Sequence, residues 1–287
     1  MTGSQDDTEL VRRAVDGELA ALEELVVRHR AWIYNVALRM VWNAEDAEDV
    51  TQEVLLKAVT KLSTFEGRSS FRTWLHRLTC NHVLNMKRRA AEERFVSFSQ
   101  FAADLDAAPD QELPDTRALP VDRGILVEEA KLRCLTAMLL GLDRRQRLAF
   151  VLSDLLGTAT SAAAELMETS PENYRQILSR GRRALFGFME GTCGLVETKN
   201  RCRCAKRTAG FIEAGHVDPN DVRFTRQEDP RLASVDTGTL EALESRVDRL
   251  HREQHRQTRF LEPTDPRGAL VRFLADPVVR ATLRLDG

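Results

Sequence analysis

The stretch DAEDVTQEVLLKAV, residues 46–59, has the pattern of an amphipathic helix. Asn43 stands before it at the position expected of a helix N-cap. Glu45 and Asp46 follow in the first turn, where carboxylates favour the positive end of the helix dipole. The pattern predicts an amphipathic helix over 45–62. Apolar residues recur along it at steps of three and four: Ala47, Val50, Val54, Leu55, Ala58 and Leu62.

The polar side of this predicted helix is acidic. Asp46, Asp49 and Glu53 lie at steps of three and four, with Gln52 in the neighbouring row. Paired carboxylates also occur in metal and acid–base sites, but no histidine interleaves with these. An exposed helix surface also has no pocket that would shift their pKa values. We therefore expect an acidic docking surface for a basic protein.

The next segment, FEGRSSFRTWLHRLTCNHVLNMKRR (65–89), mixes aromatic, amide and cationic residues. We predict one helix over 71–89, preceded by a turn at Gly67 and a capping serine. Asn81, Asn85 and Arg88 then share a face. Amides pair with base edges, cations hold phosphates and aromatic rings stack on unpaired bases, which fits nucleic acid. The alternative is that the rings are core and the cations a solvated helix end; the spacing leaves both open.

Composition limits the function classes further. The chain has 287 residues, a formal net charge of −2, 43% hydrophobic and 30% charged residues, which suits two or three globular domains. Clustered cations on a near-neutral chain favour one anionic and one basic partner. The acidic N-terminus is unlike a signal peptide, and no apolar run reaches the roughly 20 residues that span a bilayer. We expect a cytoplasmic protein without membrane insertion, whose five cysteines are thiols or metal ligands.

Helical periodicity dominates, alternating strand patterns are lacking, and we predict an all-α fold. Three prolines and an excess of acidic residues between about Ser97 and Asp122 predict an extended linker, for which a plain solvated tether is the simplest interpretation. The predicted division follows from these features. It comprises a helical domain (1–96), an acidic interdomain linker (97–123), a helix-turn-helix domain (124–190) and a small, mostly helical C-terminal extension (191–287).

The helix-turn-helix is predicted from a short helix over 161–167, a turn over 168–170 and a second helix over 171–186. Ser170 is placed as N-cap and Pro171 as the first helical residue. Tyr174, Ile177, Leu178 and Leu185 should face inward. The polar side of the second helix would enter a DNA major groove. Its residues are Glu172, Asn173, Arg175, Gln176, Ser179, Arg180 and Arg183.

Residues 46–59 followed by 65–89 resemble conserved region 2 of bacterial RNA polymerase sigma factors of the extracytoplasmic-function (ECF) group, and residues 142–188 resemble region 4. The resemblance implies core RNA polymerase and promoter DNA as partners, and no enzymatic activity. Asp49, Gln52 and Glu53 would dock on the clamp helices of the largest polymerase subunit. The polymerase flap region is a second implied contact, and an anti-sigma protein is another candidate partner.

The resemblance also assigns residues to DNA. The helix-turn-helix face named above would read the minus-thirty-five element, and Asn81 matches the family's base-pocket asparagine. The linker would thread toward the RNA exit path. The chain departs from the family at Glu168, where the turn usually has glycine, at Ala163 and at Ile177. The residues expected at the minus-ten element are Arg68, Ser69, Ser70, Trp74, Asn81, Asn85, Lys87, Arg88 and Arg89.

The extension carries Cys193, Cys202, Cys204 and His216, enough soft ligands for one zinc ion, although Cys-x-Cys is not the usual zinc spacing. Neighbouring arginines and lysines would lower thiol pKa values and favour oxidant sensing. The third alternative is reduced structural cysteines. No cofactor is required by the predicted function, and we expect the extension to regulate it.

Three function classes remain. The first is an ECF-type sigma factor that directs promoter recognition and melting. The second is a stand-alone helix-turn-helix regulator, which leaves the acidic surface unexplained. The third is a metal- or redox-responsive DNA-binding protein. An enzyme is disfavoured, because glycine-rich phosphate loops and nucleophile elbows are lacking.

Overall fold

The computed structural model describes residues 3–94, 97–107, 110–111, 113 and 120–222. Within these ranges the fold is all-α, as predicted, apart from one isolated parallel bridge between Cys193 and Cys202. The helices are α1 (Gly3–Val15), α2 (Leu19–Val41), α3 (Ala44–Thr60), α4 (Phe71–Asn85), α5 (Ala90–Arg94), α6 (Phe98–Ala107), α7 (Arg123–Met138), α8 (Arg144–Phe150), α9 (Thr160–Leu166), α10 (Pro171–Thr192) and α11 (Cys204–Glu213). Short 3₁₀ turns cover Leu62–Thr64 and Leu139–Gly141, and a π-helical turn covers Val151–Leu155.

Helices α1–α5 form the N-terminal unit, in which α2, α3 and α4 pack around one apolar core. The predicted α3 is confirmed, since every member of its apolar series is buried. Asn43 caps it by accepting the backbone N–H groups of Glu45 at 2.7 Å and Asp46 at 3.0 Å. Ser70 caps α4 in the same way, accepting the N–H of Thr73 at 3.1 Å. Local capping chemistry therefore sets both helix starts.

Helix α4 is shorter than predicted. It ends at Asn85, and Met86 is extended with ψ 160°. The guanidinium of Arg144 donates hydrogen bonds to the backbone carbonyls of Leu84, Met86 and Lys87. The prediction that the helix runs on to residue 89 is thus wrong, because an arginine from α8 takes the carbonyls at its C-terminus. The cations of 87–89 lie in the loop between α4 and α5.

The prediction of an extended linker is also wrong over its first part, where α6 forms. Ser97 accepts the N–H of Gln100 at 3.2 Å, as an N-cap does. Phe98 stacks on Phe188 with the ring centroids 4.8 Å apart. A Cβ atom on Gly141 would lie 2.7 Å from the ring of Phe98, so only glycine leaves room for this packing. Tertiary contact with aromatic rings therefore outweighs the acidic composition that predicted a solvated chain.

Helices α7–α10 form the helix-turn-helix unit. The four residues expected to face inward from α10 are buried. Ser170 accepts the N–H of Asn173 at 3.1 Å, and Pro171 opens the helix, as predicted. Helix α10 continues six residues beyond the predicted end, to Thr192. The extra turns bring Phe188 to α6 and place Cys193 as the C-cap.

The two units share their core through a buried ion network at the start of α8. Arg147 donates to the Glu92 carboxylate at 2.9 Å and to the Met40 carbonyl, both in the N-terminal unit. It also donates to the carbonyls of Leu139 and Leu142. Arg144 adds a second pair to Glu92 at 2.7 and 3.0 Å. Because a buried guanidinium left without partners is costly, this network ties the units together.

The described part of the extension folds back on α7 and on the linker. Val217 and Val222 pack with Leu126 and Ala130 of α7 in a small second core. The linker reaches α11 through its residues 110–111: the Asp110 carboxylate lies 3.3 Å from the Arg207 guanidinium, and the Gln111 N–H donates to the Lys206 carbonyl at 3.1 Å. The rest of the extension predicted to be mostly helical, residues 223–287, lies outside the described residues. In the described ranges, no helix combines the length and apolar character needed to cross a membrane.

Candidate nucleic-acid and polymerase interfaces

An open groove of about 740 Å³ runs along α4 and the end of α3; we call it the α4 groove. It collects five of the residues predicted to touch the minus-ten element: Trp74, Asn81, Asn85, Lys87 and Arg89. It also contains Lys57, Lys61 and Arg77, which the sequence analysis missed. The sequence spacing could have identified Arg77, because it precedes Asn81 by one helical turn and so lies on the same face of α4. Aromatic, amide and cationic side chains therefore line one concave surface.

The other predicted minus-ten residues lie outside this groove. Arg68 is 86% exposed and pairs with Glu66 at 2.5 Å. Ser69 and Ser70 lie beside it, and Ser70 is occupied in capping α4. Arg88 is exposed in the loop after α4, so it does not share a helix face with Asn81, contrary to prediction. The structure thus divides the predicted set between a groove and the turn before α4.

The α4 groove meets the helix-turn-helix unit along α9. Arg77 donates to the Glu165 carboxylate at 2.7 Å. The side-chain amide of Asn81 donates to the Glu168 carboxylate at 3.1 Å. The amide of Asn85 donates to the Asn81 carbonyl at 2.8 Å, one turn back along α4. Two groove residues are therefore already engaged by carboxylates from the other unit.

The acidic surface predicted on α3 is only partly available. Asp49 is exposed and Gln52 is half-buried. Glu53 is paired, with one carboxylate oxygen 3.1 Å from the Arg89 guanidinium and the other 3.0 Å from Nε2 of His82. Burial, followed by the nearby charge of Lys57, lowers the pKa of His82. Glu53 thus links the acidic surface to the α4 groove.

The outward face of α10 is open along its whole length. The seven polar residues predicted to read DNA are all exposed. Behind them, the buried Tyr174 donates its O–H to the Ala149 carbonyl at 2.9 Å. Burial raises the pKa of Tyr174 to about 12, so the phenol stays protonated and keeps that hydrogen bond. The exposed face of α10 is therefore backed by a buried, hydrogen-bonded side chain.

Comparison with known proteins identifies the family of the chain. The family model for sigma-70 region 2 matches residues 25–93, and the model for sigma-70 region 4 matches residues 132–185. The chain belongs to the sigma-70 family of RNA polymerase sigma factors, in its ECF group. The prediction of family and general function is confirmed. Sigma factors act in transcription initiation rather than as catalysts, and they bind core RNA polymerase and promoter DNA.

Several known proteins illustrate the extent of the match. The RNA polymerase sigma-H factor of Pseudomonas aeruginosa is 27% identical over 190 residues, which cover 64% of this chain and 94% of that protein. The ECF sigma-E factor of Escherichia coli is 28% identical over 64% of this chain and 95% of its own length. The solved structure of CnrH in complex with the cytosolic domain of CnrY is 22% identical, with a TM-score of 0.45, over 64% of this chain and 97% of that chain.

All five cysteines of this sigma factor are free thiols, and four of them lie near one another. Cys134 of α7 lies close enough to Cys193, Cys202 and Cys204 that burial and these neighbours raise its pKa well above the usual value. Burial also raises the pKa of Cys202, and raises that of Cys204 to about 12. The sequence predicted the opposite shift from the nearby cations. Desolvation outweighs the cations at Cys134, Cys202 and Cys204, so these three thiols are poor nucleophiles at neutral pH.

The predicted zinc site finds no support. Throughout the described ranges, no group of three or more His, Cys, Asp or Glu side chains is arranged to hold a metal ion. His216, the fourth expected ligand, places its ring 5.0 Å from the ring of Trp42 and 6.2 Å from that of Phe211. The extension therefore uses His216 in a contact with the N-terminal unit.

Proposed function

We propose that this sigma factor melts and holds the minus-ten element in the α4 groove and reads duplex DNA with α10. The observation that carries the proposal is the composition of the groove. One open cavity combines an aromatic ring, two amides and several cations around Asn81. Unpaired bases stack on aromatic rings and bond to amides, while cations hold the strand's phosphates.

The second DNA contact follows from the exposure of α10. Its N-terminal half carries Glu172, Asn173, Arg175 and Gln176, while Arg180 and Arg183 lie further along the same face. The amide of Asn173 is held by the Thr169 hydroxyl at 2.7 Å, which orients it at the helix start. A recognition helix inserts this end into a major groove, where base edges differ between base pairs.

The polymerase contact belongs to the same proposal. Asp49 and Gln52, with Glu53 once its ion pair is broken, would dock on the clamp helices of the largest subunit, and the helix-turn-helix unit on the flap region. An anti-sigma protein is a further candidate partner for these surfaces. The chain would act in the cytoplasm, with the extension controlling access to its surfaces.

Run-off transcription with core polymerase and a genomic template pool tests the proposal. We expect specific starts with the wild-type chain and their loss with Asn81→Ala, because the groove then lacks its central amide. Asp49→Lys should also abolish starts by repelling a basic docking surface. Glu23→Lys is the matched control, since Glu23 is exposed on α2, away from the acidic surface, and its reversal should leave starts unchanged.

Duplex binding measured in parallel separates the alternatives. If wild-type protein binds promoter duplex tightly without polymerase and yields no starts, the chain is a stand-alone regulator and the proposal is wrong. If starts persist in Asn81→Ala at the wild-type level, the groove is not the strand-binding site.

A further inference from the structure

A small apolar cavity lies where the extension and the linker meet both units. Its volume is about 160 Å³, and its walls come from the end of α2, from α6, from α7 and from α11 with the turn after it. Phe101 and Leu105 of α6 and Ala137 of α7 line it, and all three are buried. Among the described residues, it shares no lining side chain with the α4 groove or with the outward face of α10. The proposed DNA contacts therefore do not use this cavity.

Aromatic rings form much of the cavity wall. Trp42, Phe101 and Phe211 line it together with the imidazole of His216. The ring of His216 packs edge to face against the rings of Trp42 and Phe211, with the centroids 5.0 and 6.2 Å apart. Aromatic rings attract one another in edge-to-face and offset-stacked arrangements, beyond the effect of the area they bury. This wall therefore favours a further ring over an aliphatic group of the same volume.

Trp42 is held at the wall in a strained backbone conformation. Its φ is +66°, in the left-handed region that bulky residues rarely adopt. Its backbone N–H donates to the Leu38 carbonyl at 2.7 Å, and its indole N–H donates to the Arg133 carbonyl of α7 at 3.1 Å. Strain of this kind persists where the surrounding structure fixes the residue, and it clusters at ligand-binding sites. The indole is thus a preformed part of the wall.

An acidic side chain also lines the cavity. Asp104 of α6 is half-buried there, and its carboxylate accepts the side-chain amide of Gln100 at 3.0 Å. A carboxylate can accept further hydrogen bonds, because its two oxygens carry several lone pairs. A mostly apolar cavity with a few polar groups is typical of small-molecule sites, in which the polar groups orient the ligand. The ligand that fits this lining has one hydrogen-bond donor.

We propose that the cavity binds a single-ring phenol, with the ring among the aromatic side chains and the hydroxyl donating to Asp104. The volume indicates one ring, because an apolar protein cavity of about 150 Å³ binds benzene. Since the walls belong to α2, α7 and the extension, the bound phenol stabilises the packing of the extension against both units. The inference goes beyond the proposed function and does not depend on it.

The test uses the full chain and 4-fluorophenol, whose fluorine NMR signal reports binding. We expect saturable one-to-one binding with a Kd of about 0.1 to 1 mM. At ten times the Kd, the thermal midpoint of the chain should rise by about 2 to 4 °C, because the ligand binds only the folded state.

The role of Asp104 is tested with a second probe, 4-fluorotoluene, which has a similar size and no donor. Asp104→Ala should weaken 4-fluorophenol binding by about two- to tenfold, the effect of one hydrogen bond, and leave 4-fluorotoluene binding unchanged. Equal effects on both probes overturn the assignment of the hydroxyl to Asp104.

Gly210→Leu is the variant that fills the cavity. Gly210 lines it from α11, and a Cβ atom there would meet nothing within 4 Å, so a leucine has room. Leucine also favours a helix more than glycine does, so the thermal midpoint should not fall. We expect about tenfold or greater loss of 4-fluorophenol affinity, because the side chain takes the volume of the ligand.

Gly187→Leu is the matched control. Gly187 is an exposed glycine within α10, its Cβ atom would be equally unobstructed, and it does not line the cavity. Its substitution should leave the affinity at the wild-type value.

Saturable binding that Gly210→Leu removes and Gly187→Leu keeps supports the inference. If the full chain shows no saturable binding of 4-fluorophenol, or if Gly210→Leu binds it as tightly as wild type, the inference is wrong. A chain that binds the phenol in this way and yields no specific starts with polymerase retains the cavity assignment and loses the proposed function.

Discussion

Helices α4 and α10 are both proposed to bind DNA, yet they present their polar faces differently. The seven polar residues of α10 are exposed. On α4, Arg77 and Asn81 are bound by carboxylates of α9 and of the turn after it, and the carbonyls at the C-terminal end are bound by Arg144. The surface proposed for duplex DNA is thus open, while two side chains of the surface proposed for a single strand are already paired with carboxylates.

The two units are also joined by a contact deeper in the core than these two carboxylates. Arg147 and Glu92 are both almost fully buried and hold α8 against the N-terminal unit. Burial and, to a lesser extent, the charge of Glu92 act on the pKa of Arg147 in opposite directions, and burial prevails, lowering it. The pair persists because four backbone carbonyls also accept the N–H groups of Arg147. The ion pair between Arg77 and Glu165 is partly exposed and therefore weak. The ion pair between Arg147 and Glu92 is buried and supported by further hydrogen bonds.

The largest expected effect comes from breaking the core contact. Arg147→Ala removes a buried cation and leaves carbonyls and the Glu92 carboxylate short of donors, so the free energy of unfolding should fall by about 3 to 5 kcal/mol. Urea unfolding followed by circular dichroism measures it. Arg145→Ala is the control on the same helix, because Arg145 is exposed, and should change stability by less than about 0.5 kcal/mol. Equal losses in both variants would contradict the assignment.

A smaller effect on stability is expected from the packing of α4 against α2. The ring of His76 stacks on Trp32 with centroids 3.4 Å apart, and burial lowers the pKa of His76 to about 3. The unfolded chain takes up this proton near pH 6.5, while the folded chain does not. Neutral His76 therefore makes its full contribution to the free energy of unfolding above pH 6.5. That contribution is lost as the pH falls toward 3, by at most about 1.4 kcal/mol per pH unit.

His76→Phe should flatten this acid dependence while keeping a ring on Trp32. Unfolding midpoints measured between pH 7 and pH 4 check it. Some slope will remain, because burial lowers the pKa of His29 as well. If the two proteins lose stability in parallel across that range, His76 does not hold the neutral form as the structure indicates.

The smallest effect concerns the open helix. Arg175→Gln should weaken binding to duplex DNA and reduce the slope of log affinity against log salt by about 0.9, the contribution of one phosphate contact. Arg182→Gln, on the same helix, should change the slope less, since Asp154 already neutralises Arg182 through hydrogen bonds that include one of 2.9 Å. Fluorescence anisotropy across a salt series measures both slopes. A larger slope change at Arg182 would reverse the assignment of the DNA-facing side.

Local features of these regions could be predicted from the sequence, while features that depend on distant residues could not. The start and apolar face of α3 and the caps of α4 and α10 were predictable, because capping and periodicity involve residues within one or two helical turns. The end of α4 was not, because it depends on Arg144 from another unit. The thiol pKa shift was mispredicted because charge is visible in the sequence and burial is not.

The sequence by itself determined the all-α class, the order of the two units proposed to contact DNA, five of the twelve residues that line the α4 groove, and the exposed polar face of α10. Those properties follow from local periodicity, capping and motif order. Only the tertiary structure decided that α6 is a helix, that Arg147 and Glu92 join the units, and that Glu165 and Glu168 accept hydrogen bonds from Arg77 and Asn81. Each of these depends on partners between about fifty and ninety residues apart in the chain, whose proximity is fixed by packing of the shared core.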